Sequence, residues 1–109
     1  MPQQEEKMKE SDFKEMLDIL IYATEKDNVE IIKALLKDFD NFTNDQKGYI
    51  LHVLSKNLTD TNYEVISKLI FEYFTTDFSD EYGNLLHYAC YGKSLKMVKE
   101  LVEKGLDID

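Results

Sequence analysis

Apolar side chains recur at three- and four-residue intervals in several stretches of this chain, with charged side chains between them. These intervals return a residue to the same side of an α-helix, so the pattern predicts amphipathic helices. The first stretch contains Phe13, Met16, Leu17 and Leu20. Three later stretches each carry two adjacent apolar pairs, which are Ile31, Ile32, Leu35 and Leu36, then Val65, Ile66, Leu69 and Ile70, and finally Met97, Val98, Leu101 and Val102. We expect these pairs to pack side by side in one continuous core.

The apolar pattern and the polar residues that flank it predict six helices. Their expected spans are about 12–25, 28–37, 49–56, 62–73, 85–91 and 94–104, with an error of about two to four residues at each end. We expect Asp12 to cap the first helix together with Glu15. Asn28, Asn62 and Ser94 stand just before the second, fourth and sixth helices, where side chains of this kind accept hydrogen bonds from free backbone N–H groups.

The chain also repeats itself with a period near 33 residues, which is the mark of a stacked repeat protein. At a shift of 66 residues the last copy matches the first at seven positions, which are Leu86, Tyr88, Ala89, Met97, Val98, Leu101 and Val102. A middle copy places Gly48 and His52 opposite Gly83 and His87 at a shift of 35, whereas its later apolar residues match at 32. The middle copy therefore has three extra residues between its helices, within 56–62.

The last copy, residues 80–109, resembles an ankyrin repeat. It has a turn, a helix that opens with Leu86-His87, a second helix that carries Val98-x-x-Leu-Val102, and then a glycine. The family pattern Gly-x-Thr-Pro-Leu-His lacks its Thr and Pro here. The resemblance implies an all-α solenoid of about three stacked helix pairs with short finger-like hairpin turns. The repeats would span about 12–40, 41–76 and 77–109, after a flexible polar arm at residues 1–11.

Two connecting segments, 38–48 and 75–83, are rich in Asp, Asn, Ser and Thr and end in glycine, a composition typical of turns. In an ankyrin array each segment would form a finger, and its glycine would give the backbone the freedom that a tight return needs. The resemblance further implies structural roles, either in turns or in hydrogen bonds to the backbone, for Gly48, Gly83, Gly105, His52 and His87.

The net charge of −9, from 22 acidic and 13 basic side chains, limits the partners that the chain can attract. Phosphates would be repelled, so nucleic acids and anionic membrane surfaces are disfavoured, and a protein with a basic surface is favoured. The longest apolar run covers only residues 19–23, far short of the roughly 20 residues that a membrane helix needs. We therefore expect a protein partner, no nucleic acid and no membrane.

Cys90 is the only cysteine, so no internal disulfide can form and a reducing compartment such as the cytoplasm is expected. Its place in the first helix of the last copy predicts a buried thiol. The two histidines are too few for a zinc site, and the sequence has neither a convincing set of catalytic groups nor a glycine-rich phosphate loop. The chain is therefore expected to bind no metal or cofactor and to catalyse no reaction.

Ankyrin arrays mostly bind other proteins, so the resemblance implies a non-enzymatic interaction module with a concave binding surface. Tyrosine is favoured at such interfaces because it combines a large apolar ring with a polar hydroxyl. The expected contact residues lie on the fingers and on or just after the first helices, and they are Gln46, Lys47, Tyr49, Lys56, Asn57, Glu81, Tyr82, Asn84 and Tyr91.

Two other interpretations stay open at the level of sequence. The chain could be the N-terminal regulatory or targeting arm of a longer multidomain protein, such as an enzyme, or an unrelated helical repeat array without fingers. Residues 106–109 stand where another finger would begin, and no polar cap follows them. We therefore expect the last repeat, if no further repeat covers its apolar face, either to self-associate through that face or to fray.

Overall fold

The computed structural model describes residues 8–107, and within them the chain is mainly helical. The helices are α1 (Glu10–Glu25), α2 (Val29–Leu35), α3 (Asn44–Lys56), α4 (Tyr63–Tyr73), α5 (Leu85–Tyr91) and α6 (Leu95–Glu103), with a 3-10 turn at Phe39–Asn41. Two short strands, β1 (Ser79–Asp80) and β2 (Gly83–Asn84), pair antiparallel in a hairpin just before α5. Five of the six predicted helices agree with these bounds to within two residues.

The helices form three stacked pairs. α1 packs on α2, α3 on α4 and α5 on α6, while α1, α3 and α5 contact one another in sequence along an inner row. The resulting body is a slab with extents of 46 × 32 × 19 Å. This arrangement confirms the all-α prediction of stacked helix pairs, and it makes the pair of α3 and α4 the central one.

The core is richest at α3, where Ile50, Leu51 and Leu54 are fully buried. The expectation that all the paired apolar residues of the second helices are buried is wrong. In α2 the side chain of Ile32 is buried whereas that of Ile31 is 39% exposed. Val65 of the central helix α4 (Tyr63–Tyr73) is likewise 43% exposed. Adjacent residues of a helix point about 100° apart, so one of them can face the core while the other faces solvent.

Two of the three predicted second-helix caps are present. The side chain of Asn28 accepts a hydrogen bond from the backbone N–H of Ile31, and Ser94 accepts one from Met97. The predicted cap at Asp12 is wrong, because α1 begins at Glu10 and its N-terminus has no side-chain cap. The helix thus includes the last two residues of the predicted arm. Residues 1–7 of that arm lie outside the described part of the chain.

The predicted cap at Asn62 is also wrong, because this buried side chain stabilises the preceding turn instead of α4. Its Oδ1 accepts a hydrogen bond from the backbone N–H of Thr59 at 2.7 Å, and its Nδ2 donates to the carbonyl oxygen of Asn57 at 3.1 Å. In return, Thr59 Oγ1 accepts from the backbone N–H of Asn62. The extra residues of the middle copy are therefore held in an ordered turn.

Segment 38–48 forms no hairpin, contrary to the prediction of a first finger. Thr43 caps α3 by accepting from the backbone N–H of Gln46, and the Gln46 side chain accepts from the backbone N–H of Thr43. This reciprocal capping box starts α3 at Asn44, five residues before the predicted start. Gly48, which was expected to close a turn, is buried inside the helix.

A row of aromatic rings anchors the segments around this altered connection. The ring of Phe42 lies 5.8 Å from that of Phe13 on α1 and 6.4 Å from that of Phe39. The row continues from Phe39 to Phe74 at 4.9 Å and from Phe74 to Phe78 at 5.1 Å, with edge-to-face geometry. Such contacts add to simple burial, so these residues hold the connections before α3 and after α4 against the core.

We expect Leu54→Ala to lower the free energy of unfolding by about 2–5 kcal/mol, because it opens a cavity in the central pair. The matched control is Val102→Ala, since this side chain is 54% exposed and its loss should change stability by no more than about 0.5 kcal/mol. Urea unfolding midpoints would measure both effects. Equal midpoints for the two variants would contradict this placement of the core.

Candidate partner-binding surface

The hairpin before α5 forms a finger whose tip is Glu81 and Tyr82. Asp80 Oδ1 accepts a hydrogen bond from the backbone N–H of Tyr82 at 2.9 Å, which tightens the turn. Gly83 has a φ of +125°, and a Cβ there would lie only 2.3 Å from the ring of His87. Glycine is therefore required at this return, as the sequence predicted for the second finger.

The base of the finger is joined to the start of α5 by a second capping box. The Asn84 side chain accepts hydrogen bonds from the backbone N–H groups of Leu86 and His87. In return, His87 Nδ1 accepts from the backbone N–H of Asn84 at 3.0 Å. His87 thus makes the kind of backbone hydrogen bond that the family resemblance implied for it.

The finger also docks on α3, where Gly48 leaves room for it. Tyr88 Oη on α5 donates to Asp80 Oδ2 at 2.6 Å, and Asn44 Nδ2 on α3 donates to the carbonyl oxygen of Ser79 at 3.1 Å. A Cβ at Gly48 would lie 2.2 Å from Asp80 Oδ2 and 2.9 Å from Tyr88 Oη. The structural role of Gly48 is therefore close packing of a helix against the finger, and it is unrelated to a turn.

A pocket of about 290 Å³ lies between the finger, α3 and α5. Four residues of α3 at positions 45, 48, 49 and 52 face it, a spacing that places them on one side of the helix. The residues that line this tyrosine pocket are Asp45, Gly48, Tyr49, His52, Asp80, Glu81, Tyr82, Tyr88 and Tyr91.

The four tyrosines occupy different depths of the pocket. Tyr88 is buried, whereas Tyr49, Tyr82 and Tyr91 are each 54–57% exposed. Tyr91 Oη donates a hydrogen bond to the carbonyl oxygen of Tyr82 at 3.3 Å, and its ring meets that of Tyr88 edge-on at 6.1 Å. The ring of Tyr49 packs against Phe13 at 6.3 Å. These contacts hold the rings of Tyr49 and Tyr91 in place beside the opening.

The surroundings of the pocket raise the pKa of two of its tyrosines. Burial, a hydrogen bond to Asp80 and the charge of that group raise the pKa of Tyr88. A hydrogen bond to Glu81 and the charge of Glu81 raise the pKa of Tyr82, with a smaller contribution from Asp45. The single ion pair within residues 8–107 joins Lys96 to Asp60, so no basic side chain pairs with the carboxylates of the pocket.

Four of the nine predicted contact residues meet in the tyrosine pocket, and they are Tyr49, Glu81, Tyr82 and Tyr91. Five further residues line the pocket that were not among the expected contact residues, and they are Asp45, Gly48, His52, Asp80 and Tyr88. The predicted span 49–56 already places His52 on the same side of a helix as Tyr49, and the correct helix start would have added Asp45 to that side. Asp80 and Tyr88 meet through a side-chain hydrogen bond between separate elements, which no local pattern encodes.

The other five predicted contact residues lie outside the pocket. Gln46 and Asn84 are engaged in the two capping boxes, and Asn57 donates to a carbonyl oxygen at the end of α3. The Lys47 Nζ atom lies 5.0 Å from the centre of the Phe39 ring, and Lys56 is exposed at the end of α3.

Two expectations about reactive side chains need correction. His52 is exposed and makes no hydrogen bond within the described residues, because no hairpin precedes α3 to supply the expected backbone partner. Cys90 is exposed rather than buried. Ala89 takes the buried position of α5, and successive helical residues point about 100° apart, so Cys90 faces away from the core.

Gly105 follows α6 with a φ of +94°, as suits a helix stop.

Residues 8–107 contain no group of three or more His, Cys, Asp or Glu side chains that could hold a metal ion. No helix among them combines the length and the apolar character needed to cross a membrane.

Comparison with known families agrees with the stacked helix pairs and the finger. The family model described as ankyrin repeats (3 copies) matches residues 20–109, and the chain therefore belongs to the ankyrin repeat family. Searches of curated proteins and of solved structures found no match. Ankyrin repeats are generally protein–protein interaction modules, and they are typically not catalytic.

We expect Gly48→Ala to lower the free energy of unfolding by about 1–3 kcal/mol through overpacking. A loss of stability is informative here, because alanine inside a helix is ordinarily about 1 kcal/mol more favourable than glycine and would by itself raise the free energy of unfolding. Asp80→Ala removes the carboxylate that lies nearest to a Cβ at position 48. In that background Gly48→Ala should lower the free energy of unfolding by at least about 1 kcal/mol less. Urea unfolding of the four proteins in this cycle measures the difference. Equal costs in both backgrounds would contradict the docking of the finger on Gly48.

Proposed function

We propose that this chain is a non-enzymatic interaction module that binds a partner protein through the tyrosine pocket and its rim. The observation that supports this proposal is the convergence of Tyr49, Tyr82 and Tyr91 from three separate elements around one opening. Exposed aromatic rings grouped around a concave site are typical of residues that supply most of the affinity at an interface.

The pocket requires little ordering on binding. The finger is fixed by the contacts of Asp80, and Tyr91 is held by its hydrogen bond to the finger backbone and its contact with Tyr88. Side chains that are already immobilised lose less conformational entropy when a partner arrives. Plain binding to a preorganised surface is thus the mechanism that we propose.

The partner that we propose is a protein with a basic surface. The net charge of −9 and the carboxylates of Asp45, Asp80 and Glu81 around the pocket support this choice. The same charges disfavour nucleic acids and anionic lipid surfaces. We propose the cytoplasm as the compartment, because Cys90 is the only cysteine and has no partner for an internal disulfide.

The combined change Tyr82→Ala and Tyr91→Ala should weaken the binding free energy of the partner by about 2–4 kcal/mol, because both rings are proposed to anchor it. Partners are captured from cell lysate with the original chain, identified by mass spectrometry, and measured by calorimetry with each variant. Tyr22→Ala is the matched control, because this ring is 60% exposed on α1 and does not line the pocket.

Thermal melts should stay nearly unchanged in all these variants, because the substituted rings are exposed. Full affinity in the double variant, together with a loss in the Tyr22 variant, would move the binding surface away from the pocket. The turn at 56–62 would then be the next surface to test.

We also propose that the last helix pair self-associates. Leu95 and Val102 on α6 are 66% and 54% exposed, and exposed apolar side chains tend to find partners. Sedimentation velocity should show a mass that rises with protein concentration, and Leu95→Glu with Val102→Glu should abolish the rise. A monomer at every concentration tested would contradict this proposal.

A further inference from the structure

The tyrosine pocket has a feature that general protein binding leaves unexplained, which is a half-buried carboxylate that pairs with no basic side chain of residues 8–107. We propose that the pocket receives one cationic side chain of the partner, a lysine or an arginine. This inference rests on the proposed function and adds the chemistry of the group that enters the pocket.

The charge of Asp80 favours a cationic group. Its two oxygens accept hydrogen bonds from neutral donors only, the backbone N–H of Tyr82 and the hydroxyl of Tyr88. Those donors orient the carboxylate and leave its negative charge uncompensated, and no basic side chain of residues 8–107 pairs with it. A cation in the pocket would meet this charge where less water screens it than at an open surface.

The aromatic faces of the pocket also favour a cation. An aromatic ring carries partial negative charge on its face, so a cation that lies over it is attracted. Four lysines in the described chain already lie 5.0–5.7 Å from ring centres, at Tyr22, Phe39, Tyr63 and Phe71. None of those rings lines the pocket, so the faces of its tyrosines are not covered by a lysine of the described part of the chain.

The size and the polarity of the pocket suit one basic side chain. The volume of about 290 Å³ is just below the roughly 300–1,000 Å³ typical of sites for small molecules and cofactors, so it suits one long side chain. An apolar side chain of the partner would fill the same space. It would, however, strip water from the Asp80 carboxylate without replacing the lost interactions, which is unfavourable. A basic side chain fills the volume and supplies the missing charge.

The direct test is a titration followed by amide chemical shifts in two-dimensional NMR. The probes are N-acetyl-arginine amide and N-acetyl-lysine amide, and the uncharged control is N-acetyl-norleucine amide at matched ionic strength. We expect the charged probes to bind with a dissociation constant of about 1–10 mM, as suits so small a ligand. The shifts should concentrate at Gly48, Tyr49, Tyr82 and Tyr91, and norleucine should produce much smaller ones.

Matched variants then separate charge from general effects. Asp80→Asn keeps a group that can bond to Tyr82 and Tyr88 but removes the charge, and Tyr91→Ala removes one ring. Each variant should raise the dissociation constant of the charged probes about tenfold. Asp60→Asn changes the net charge equally in the turn beside Lys96, outside the pocket, and should leave the affinity almost unchanged. Equal effects of the two Asn variants, or equal binding of norleucine, would overturn the inference.

The outcomes also separate this inference from the proposed function. If the charged probes leave the pocket amides unshifted while the Tyr82 and Tyr91 double variant loses its partner, the cation inference is wrong and the proposed function stands. If the probes bind but the double variant keeps full affinity for its partner, the proposed surface is wrong, and the inference that a partner side chain fills the pocket fails with it.

Discussion

The candidate surface depends on the two hydrogen bonds that the Asp80 carboxylate accepts. One oxygen closes the turn of the finger through the backbone N–H of Tyr82, and the other accepts from Tyr88 on α5. The second oxygen fits there only because α3 has no side chain at Gly48. One half-buried acidic group thus ties together the finger, α3 and α5. Tyr82 on the finger and Tyr91 on α5 are thereby brought to the same pocket as Tyr49 on α3.

Because segment 38–48 forms no finger, α3 is longer than predicted, and this longer helix lines one side of the pocket. Where the ankyrin pattern would place a hairpin before α3, the capping box of Thr43 and Gln46 extends the helix back to Asn44. The added turn carries Asp45 and brings it onto the same side as Tyr49 and His52. A departure from the family pattern in the middle repeat therefore shapes the surface that the last repeat faces.

Helices were the part of the fold that the sequence predicted well, because their apolar spacing is encoded locally. Segment 38–48 was misinterpreted for a physical reason, since Asp, Asn and Thr serve equally in turns and in helix caps. The predicted cap at Asn62 was wrong for a similar reason, because its side chain forms hydrogen bonds with the backbone of the preceding turn instead of α4. The exposed rings Tyr49, Tyr82 and Tyr91 were predicted, whereas the Asp80–Tyr88 contact depends on two elements meeting in space.

Neutral tyrosine is essential to this arrangement, because only the protonated hydroxyl of Tyr88 can donate to Asp80. Deprotonation would place a second negative charge beside the first, and burial, the hydrogen bond and that charge together raise the pKa of Tyr88. Because the pKa is higher in the folded chain than in the unfolded one, this contribution to stability is complete at neutral pH and is lost only as the pH rises above the usual tyrosine range. Near neutral pH the Tyr88 hydroxyl therefore keeps its proton and its hydrogen bond to Asp80, so the finger stays joined to α5.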